Sequence, residues 1–274
     1  GAVVAYVSIS GIHASAWTAV VKDILILGVA IFLGFYLPIK LHGGMGSMFA
    51  RIEAEQPGFL TLPASGQSAS WFASTVLLTA LGFYLWPHTF GSIYTAKNEH
   101  VFRKNAIVMP LYQLVMLFVF FVGFAALLSV PGLTGSEADL ALLRVSVQTF
   151  DPWLVGVIGA AGVLTALVPG SMILMAAATI LAKNVAYSGR AVDDPAIPRL
   201  AKALVPAVAL VALWFTFRGG DSIVALLLMG YSFVTQLAPA LLFSLTRRNP
   251  LTPAGAAAGI VAGGVTVAWG TMTK

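Results

Sequence analysis

Residues 151–187 read DPWLVGVIGAAGVLTALVPGSMILMAAATILAKNVAY, and this stretch decides the fold. No charged side chain occurs from Trp153 to Ala182. At about 1.5 Å per residue, a helix of this length crosses a hydrocarbon core of about 30 Å with turns to spare. Pro169 and Gly170 stand at its centre, where proline removes a backbone donor and glycine adds slack. The expectation is a membrane helix with a soft point at mid-depth, which suits a transport pathway better than an anchor.

The composition agrees with a membrane setting. Of 274 residues, 59% are hydrophobic and 9% are charged, with a mean hydropathy of +0.92. Soluble domains carry about 25% charged residues, so this chain cannot cover a water-facing surface. The sequence contains no cysteine, which excludes disulfides, thiolate metal sites and thiol chemistry. The net charge of +5 belongs to loops and signals no nucleic acid. The chain opens GAVVAYVSIS, without an initiator Met or a basic leader, and reads as the tail of a helix whose start is missing.

Outward from the opening stretch, the fold class is an all-α polytopic membrane protein. It has about seven spans and an N-terminal helix end. Residues 1–10 are that end, and Gly11 and His13 sit in a short connection. Spans are expected at 14–37, 70–95, 107–130, 151–187, 203–217, 222–245 and 253–272. Pro38 helps end the first, and Lys22 and Asp23 inside it read as an interfacial pair. Residues 39–69 and 131–150 read as loops, Asp193-Asp194 as solvated loop, and Arg218 to Asp221 as a tight turn. In the second span, Pro87 and neighbouring glycines predict a broken helix. The small residues of 253–272 permit close helix packing.

The loops fall into two alternating sets. Loops 96–105, 183–202 and 246–252 hold nine Lys and Arg against three acids. Loops 39–69, 131–151, 218–221 and the C-terminal end hold five against six. The positive-inside rule puts the first set in the cytoplasm. That gives a multi-pass protein of the plasma (inner) membrane with its C-terminus outside.

Several polar groups fall within spans. His88 suits proton exchange or a bond to an anionic substrate, or is a structural histidine at a helix break. Tyr84 and Trp86 form an aromatic gate, or pack as interfacial rings. Gln236 contacts substrate, or bonds a neighbouring helix. Met172 and Met175 read as core. No nucleophile–base spacing, phosphate loop or metal-ligand cluster occurs, so the chain is not read as an enzyme and no cofactor is expected.

Residues 6–23, YVSISGIHASAWTAVVKD, resemble the entry to the fifth core helix of the sodium:solute symporter family. Ser10 stands where the family has a second glycine, and Ala19 where an Asp follows the Thr. Lys22-Asp23 is similar to the monocarboxylate-type branch. So are Trp86-Pro87-His88 followed by Lys97 and Arg103-Lys104-Asn105-Ala106, and Ala166-Leu167-Val168-Pro169 followed by Asn184-Val185-Ala186-Tyr187. The resemblance is spread over the whole chain.

This resemblance implies a leucine-transporter-like fold of two inverted five-helix repeats, with 1–274 a single transmembrane domain. Residues 1–37 would be the end of core helix 4 and core helix 5, 70–245 core helices 6–10, and 253–272 an additional helix. The first-repeat helices are then missing partners within the same protein. The implied function is symport of a small organic anion such as a monocarboxylate by alternating access, with sodium or a proton as coupling ion. The other class is a non-transporting membrane module, either a sensor input domain or an inactive fragment. The implied substrate residues are Tyr84, Trp86, His88 and Gln236. In sodium-coupled relatives, helix eight offers a carbonyl and two adjacent hydroxyls. Ala166 matches the carbonyl donor, but Pro169 and Gly170 fall at the hydroxyl positions, so the cation site is degraded. Thr165 and Ser171 flank it.

Overall fold

The computed structural model describes residues 2–94, 96–189, 191, 194–219 and 222–273; the side chains of 2–17, 92, 218 and 219 lie outside that description. Among the described residues every regular element is helical, as a chain with no water to satisfy its backbone requires. Six stretches of the described residues are long and apolar enough to cross a membrane: Thr18–His42, Glu99–Ser129, Pro152–Ala186, Ala196–Phe217, Ile223–Ser244 and Pro253–Met272. The chain is an all-α, multi-pass membrane protein.

The helices group into two units. The first comprises Gly1–Glu55 and Lys97–Gly220. Its long helix α1 (Ala2–His42) packs along α6 (Val115–Ser129) and α8 (Pro152–Ile180). Gly34 permits the α1–α6 contact: a methyl there would stand 2.6 Å from Phe118 Cβ and 2.8 Å from its Cα. The core contains Leu33, Leu37, Val122, Ala125, Val145 and Ile158. Two more core residues, Met48 and Ile52, come from α2 (Met45–Glu55), which turns back after Gly43. That glycine adopts φ 75°, a left-handed conformation suited to the end of a helix. Helix α9 (Ala196–Gly219) joins the same unit, its Ile197 and Ala201 against Ala182 and its Val205 against Ala178.

The second unit comprises Gln56–Ala96 and Asp221–Lys274. It holds α3 (Ala69–Phe83), α4 (Pro87–Tyr94), α10 (Ile223–Val234), α11 (Ala238–Ser244) and α12 (Pro253–Met272). Helix α10 packs on both α3 and α12. Ser222 and Thr252 cap α10 and α12 through Ala225 N–H and Gly255 N–H.

Several expectations change. No connection interrupts the backbone at Gly11 and His13, whose side chains lie outside the described ones; α1 runs through them. Pro38 does not end α1; the expected soft point at Pro169 lies within α8, which is helical from Pro152 to Ile180. In an apolar surround, interrupting a helix exposes several backbone groups, whereas a proline within it costs one bond. The expected 70–95 span is two pieces of 15 and 8 residues, and six helices are long enough to cross among the described residues. Residues 39–69 contain α2, and 131–150 contain a 3₁₀ turn (Gly135–Leu140) and α7 (Ala141–Thr149). The third span starts at Glu99, and α5 (Glu99–Gln113) gives way to α6 at Leu114. The fifth starts at Ala196, where the Asp194 carboxylate accepts from the Ala196 N–H; Asp193 is outside the described residues. The expected turn from Arg218 to Asp221 meets α9 as far as Gly219, and Gly220 and Asp221 are outside the described residues.

Candidate functional site

The break between α3 and α4 follows from its sequence. Pro87 has no N–H to give the Phe83 carbonyl, and it disfavours helical geometry at Trp86. The chain therefore turns at Tyr84–Trp86, with Leu85 N–H donating to Gly82 O at 3.0 Å. A fresh helix starts at Pro87, and Phe90 N–H closes onto Trp86 O at 2.8 Å. Pro87 takes the first helical position, where the missing donor is harmless.

Helix α10 holds this break in place. At Gly82 a methyl would stand 2.6 Å from Tyr231 Cδ1 and 2.7 Å from Thr235 Oγ1, so the missing side chain on α3 makes room for those two side chains. Thr235 Oγ1 also donates to the Leu78 carbonyl at 3.3 Å. Trp86 lies over Gly230 and meets Tyr231 edge-to-face, with ring centroids 5.5 Å apart at 86°. On its other flank Trp86 faces His88, centroid to centroid 6.0 Å. The His88 ring is half-buried, and its Nδ1 is enclosed with no hydrogen-bond partner among the described residues. An enclosed ring nitrogen without a partner is costly, and such atoms call for an explanation.

The structure thus brings Trp86 and His88 together and adds Gly82, Gly230, Tyr231 and Thr235. Tyr84 is more exposed and takes Phe83 as its ring partner, 5.1 Å away at 88°. Gln236 sits in the 3₁₀ turn Thr235–Leu237 that interrupts the sixth span. Its Nε2 donates to Ser232 O at 3.0 Å, and its Oε1 lies against Gly263 of α12. Gly230-Tyr231 was missed in the sequence reading. Its only local signal is a small residue beside an aromatic one at mid-span, and its partner lies far away in the chain.

The residues of the degraded cation position lie in the other unit, on α8. Ala166 and Pro169 are exposed and Gly170 is half-buried. Thr165 Oγ1 donates to Ala161 O at 2.7 Å, and the buried Ser171 Oγ donates to Val168 O at 2.6 Å. Both hydroxyl protons serve their own helix. Because Pro169 has no N–H, the Thr165 carbonyl has no i+4 amide to accept from. That oxygen is the one α8 can best spare for a cation.

The model of the sodium:solute symporter family matches residues 1–263. The "Uncharacterized symporter YhjB" of Bacillus subtilis (strain 168) is 64% identical over 271 residues, 98% of this chain and 55% of that protein. The "Uncharacterized symporter YodF" of the same strain is 30% identical over 94% of this chain and 52% of its own length. The "Monocarboxylate transport permease protein" of Rhizobium johnstonii (strain DSM 114642 / LMG 32736 / 3841) is 31% identical over 88% of this chain and 49% of its own length. The chain therefore spans about half the length of the curated relatives it matches. No solved structure matches it. With a family model matched from Gly1 to Gly263 and relatives named as symporters, the chain belongs to the sodium:solute symporter family.

Proposed function

We propose that this chain supplies part of a secondary active symporter for a small organic anion, a monocarboxylate or a close analogue, working by alternating access. The carrying observation is the enclosed, unpartnered Nδ1 of His88 at the start of α4. A carboxylate docked there would meet an imidazole at the positive end of a helix, both of which favour negative charge. Trp86 would wall the site, and Tyr84, exposed at the break, would close over it. Transporters bind near mid-membrane between discontinuous helices, and a span split into two short helices fits that plan. The name of the Rhizobium relative supports the carboxylate reading. The coupling ion is sodium or a proton, in keeping with the family's name and the oxygen-poor face of α8.

The reading includes the two-repeat fold, with the helices of the first repeat supplied by the same protein and the plasma membrane as its location. The C-terminus is outside, on the strength of the loop charges.

The test is uptake of labelled short carboxylates, pyruvate and lactate among them, into proteoliposomes of the full-length protein under imposed sodium or proton gradients. Uptake is expected, and His88→Ala should impair it or shift its pH profile. Absence of uptake under either gradient counts against the transport reading for these substrates. An unchanged rate and profile in His88→Ala makes His88 structural.

A further inference from the structure

Between Thr18 and Ile39 the α1 span carries two charged residues, Lys22 and Asp23, side by side. Neighbours on a helix point about 100° apart and do not normally face each other. Yet Lys22 Nζ reaches round to Asp23 Oδ1 at 2.7 Å. The same oxygen accepts from Tyr112 Oη of α5 at 3.0 Å. The lysine side chain is 17% exposed and the aspartate 41%, so the ammonium is turned inward to its partner while the carboxylate stays reachable. A charge within a span is expensive unless neutralised, and such groups mark ion and proton routes. Here the neutralising cation is covalently tethered.

The geometry points to Asp23 as a proton-binding carboxylate, released from Lys22 when it is protonated; this rests on the symporter reading above. A proton fits better than sodium. A hard metal cation needs several oxygens, whereas Asp23 Oδ1 is met by an ammonium and one hydroxyl, both donating. When a proton from the water adds to the carboxylate, the ion pair breaks and the site goes from neutral to one positive charge. The ammonium keeps its own proton and must move. Its flexible four-carbon stem lets it do so without moving the helix. Loss of the carboxylate charge also weakens the bond from Tyr112, so the hold of α1 on α5 differs between the two states, as a coupling device requires.

Few other charges compete. On α5, Glu99, His100, Arg103 and Lys104 all precede Tyr112 by two turns or more, about 12–20 Å along the axis. No titratable side chain occurs on α6, on α8 from 152 to 180, or on α9 from 203 to 217. Tyr6 and His13, earlier on α1, lie outside the described side chains.

The test is pH-difference infrared spectroscopy on the purified full-length protein, which needs no substrate. A protonated-carboxyl band that shifts in D₂O is expected, and Asp23→Asn should remove it. The carboxylate bands that disappear as the protonated band grows should shift in Lys22→Met, which removes the ammonium held against Asp23, and stay nearly in place in Lys22→Arg. If Asp23→Asn folds poorly, Lys22→Met/Asp23→Asn leaves no unpaired charge and serves for the same subtraction. A band set that survives loss of Asp23 overturns the inference, as does a band abolished by sodium at constant pH. In proteoliposomes, Asp23→Asn should lower pH-driven accumulation of pyruvate or lactate at least tenfold more than it lowers counterflow. A structural role lowers both by the same factor and refutes it. Absence of wild-type transport would sink the substrate reading and leave the infrared result to stand alone.

Discussion

Gly230→Ala sets two effects of known size against each other. Alanine is the better helix former by about 1 kcal/mol, so propensity alone predicts a more stable α10. The added methyl, however, would stand 2.9 Å from Trp86 Cη2 and 3.3 Å from Cζ2. Carbon atoms rest about 3.5–4.0 Å apart, so the indole must withdraw by roughly 0.6 Å or more. Tyr231 lies edge-on against it and His88 flanks it, so the ring has no easy retreat. Overpacking of this kind costs about 1–3 kcal/mol, which outweighs the gain in propensity. The expected outcome is a lower unfolding midpoint and a KM for the transported carboxylate raised about fivefold or more, since about 1 kcal/mol corresponds to that factor. Trp86→Phe supplies the control, because a smaller ring leaves room for the methyl. In a double-mutant cycle the two substitutions should couple by about 0.5–3 kcal/mol, with the double variant close to Trp86→Phe alone. Additivity within about 0.5 kcal/mol, or a plain gain in stability from Gly230→Ala, would refute the claim that Gly230 seats Trp86.

Two further predictions concern the ends of the spans. His42 is 8% exposed; Arg51 Nη1 donates to its Nδ1 at 3.2 Å, so its proton sits on Nε2 and is given to Ala125 O at 3.1 Å. His42→Ala leaves that carbonyl and the guanidinium short of partners and should cost about 1–3 kcal/mol in a detergent unfolding assay, while His42→Gln, which keeps an amide donor, should cost less; equal losses would show that the bond to Ala125 is idle. A reporter fused after Lys274 should be active when it reads the outside and silent when it reads the cytoplasm, and the reverse pattern would overturn the orientation drawn from loop charges.

The features legible in the sequence share a local cause. Helix α12 runs from Pro253 to Met272 as expected, because Thr252 caps it and Pro253 opens it. The break at Tyr84–Trp86 was legible because Pro87 removes a donor at a known place. The misreadings share a cause as well. Pro38 was given the stopping power a proline has in water, yet it sits inside α1, as Pro169 sits inside α8. In an apolar surround the helix is the only local way to satisfy the backbone, so one lost bond does not end it. Helix α2 was invisible because its buried face is only Met48 and Ile52, within a stretch whose composition reads as loop. The seat of Trp86 on Gly230 joins residues far apart in the chain, which no local pattern reports.

The coupling ion can be weighed on two helices of the first unit. On α8, Pro169 and Gly170 bring no side-chain oxygen, and the hydroxyls of Thr165 and Ser171 each bond a carbonyl of their own helix. Sodium there would have to rely on the Thr165 carbonyl that Pro169 leaves without its amide, and on oxygens from outside this chain. On α1, a carboxylate is already neutralised by a lysine beside it and steadied by a tyrosine. Loss of oxygens at one position and a tethered cation at another are independent features, and both agree with the proton arm of the proposed coupling. If sodium nevertheless drives uptake, Asp23→Asn should leave that dependence intact and Pro169→Ala should weaken it, since a restored amide would reclaim the Thr165 carbonyl. If protons drive it, the two substitutions should exchange roles.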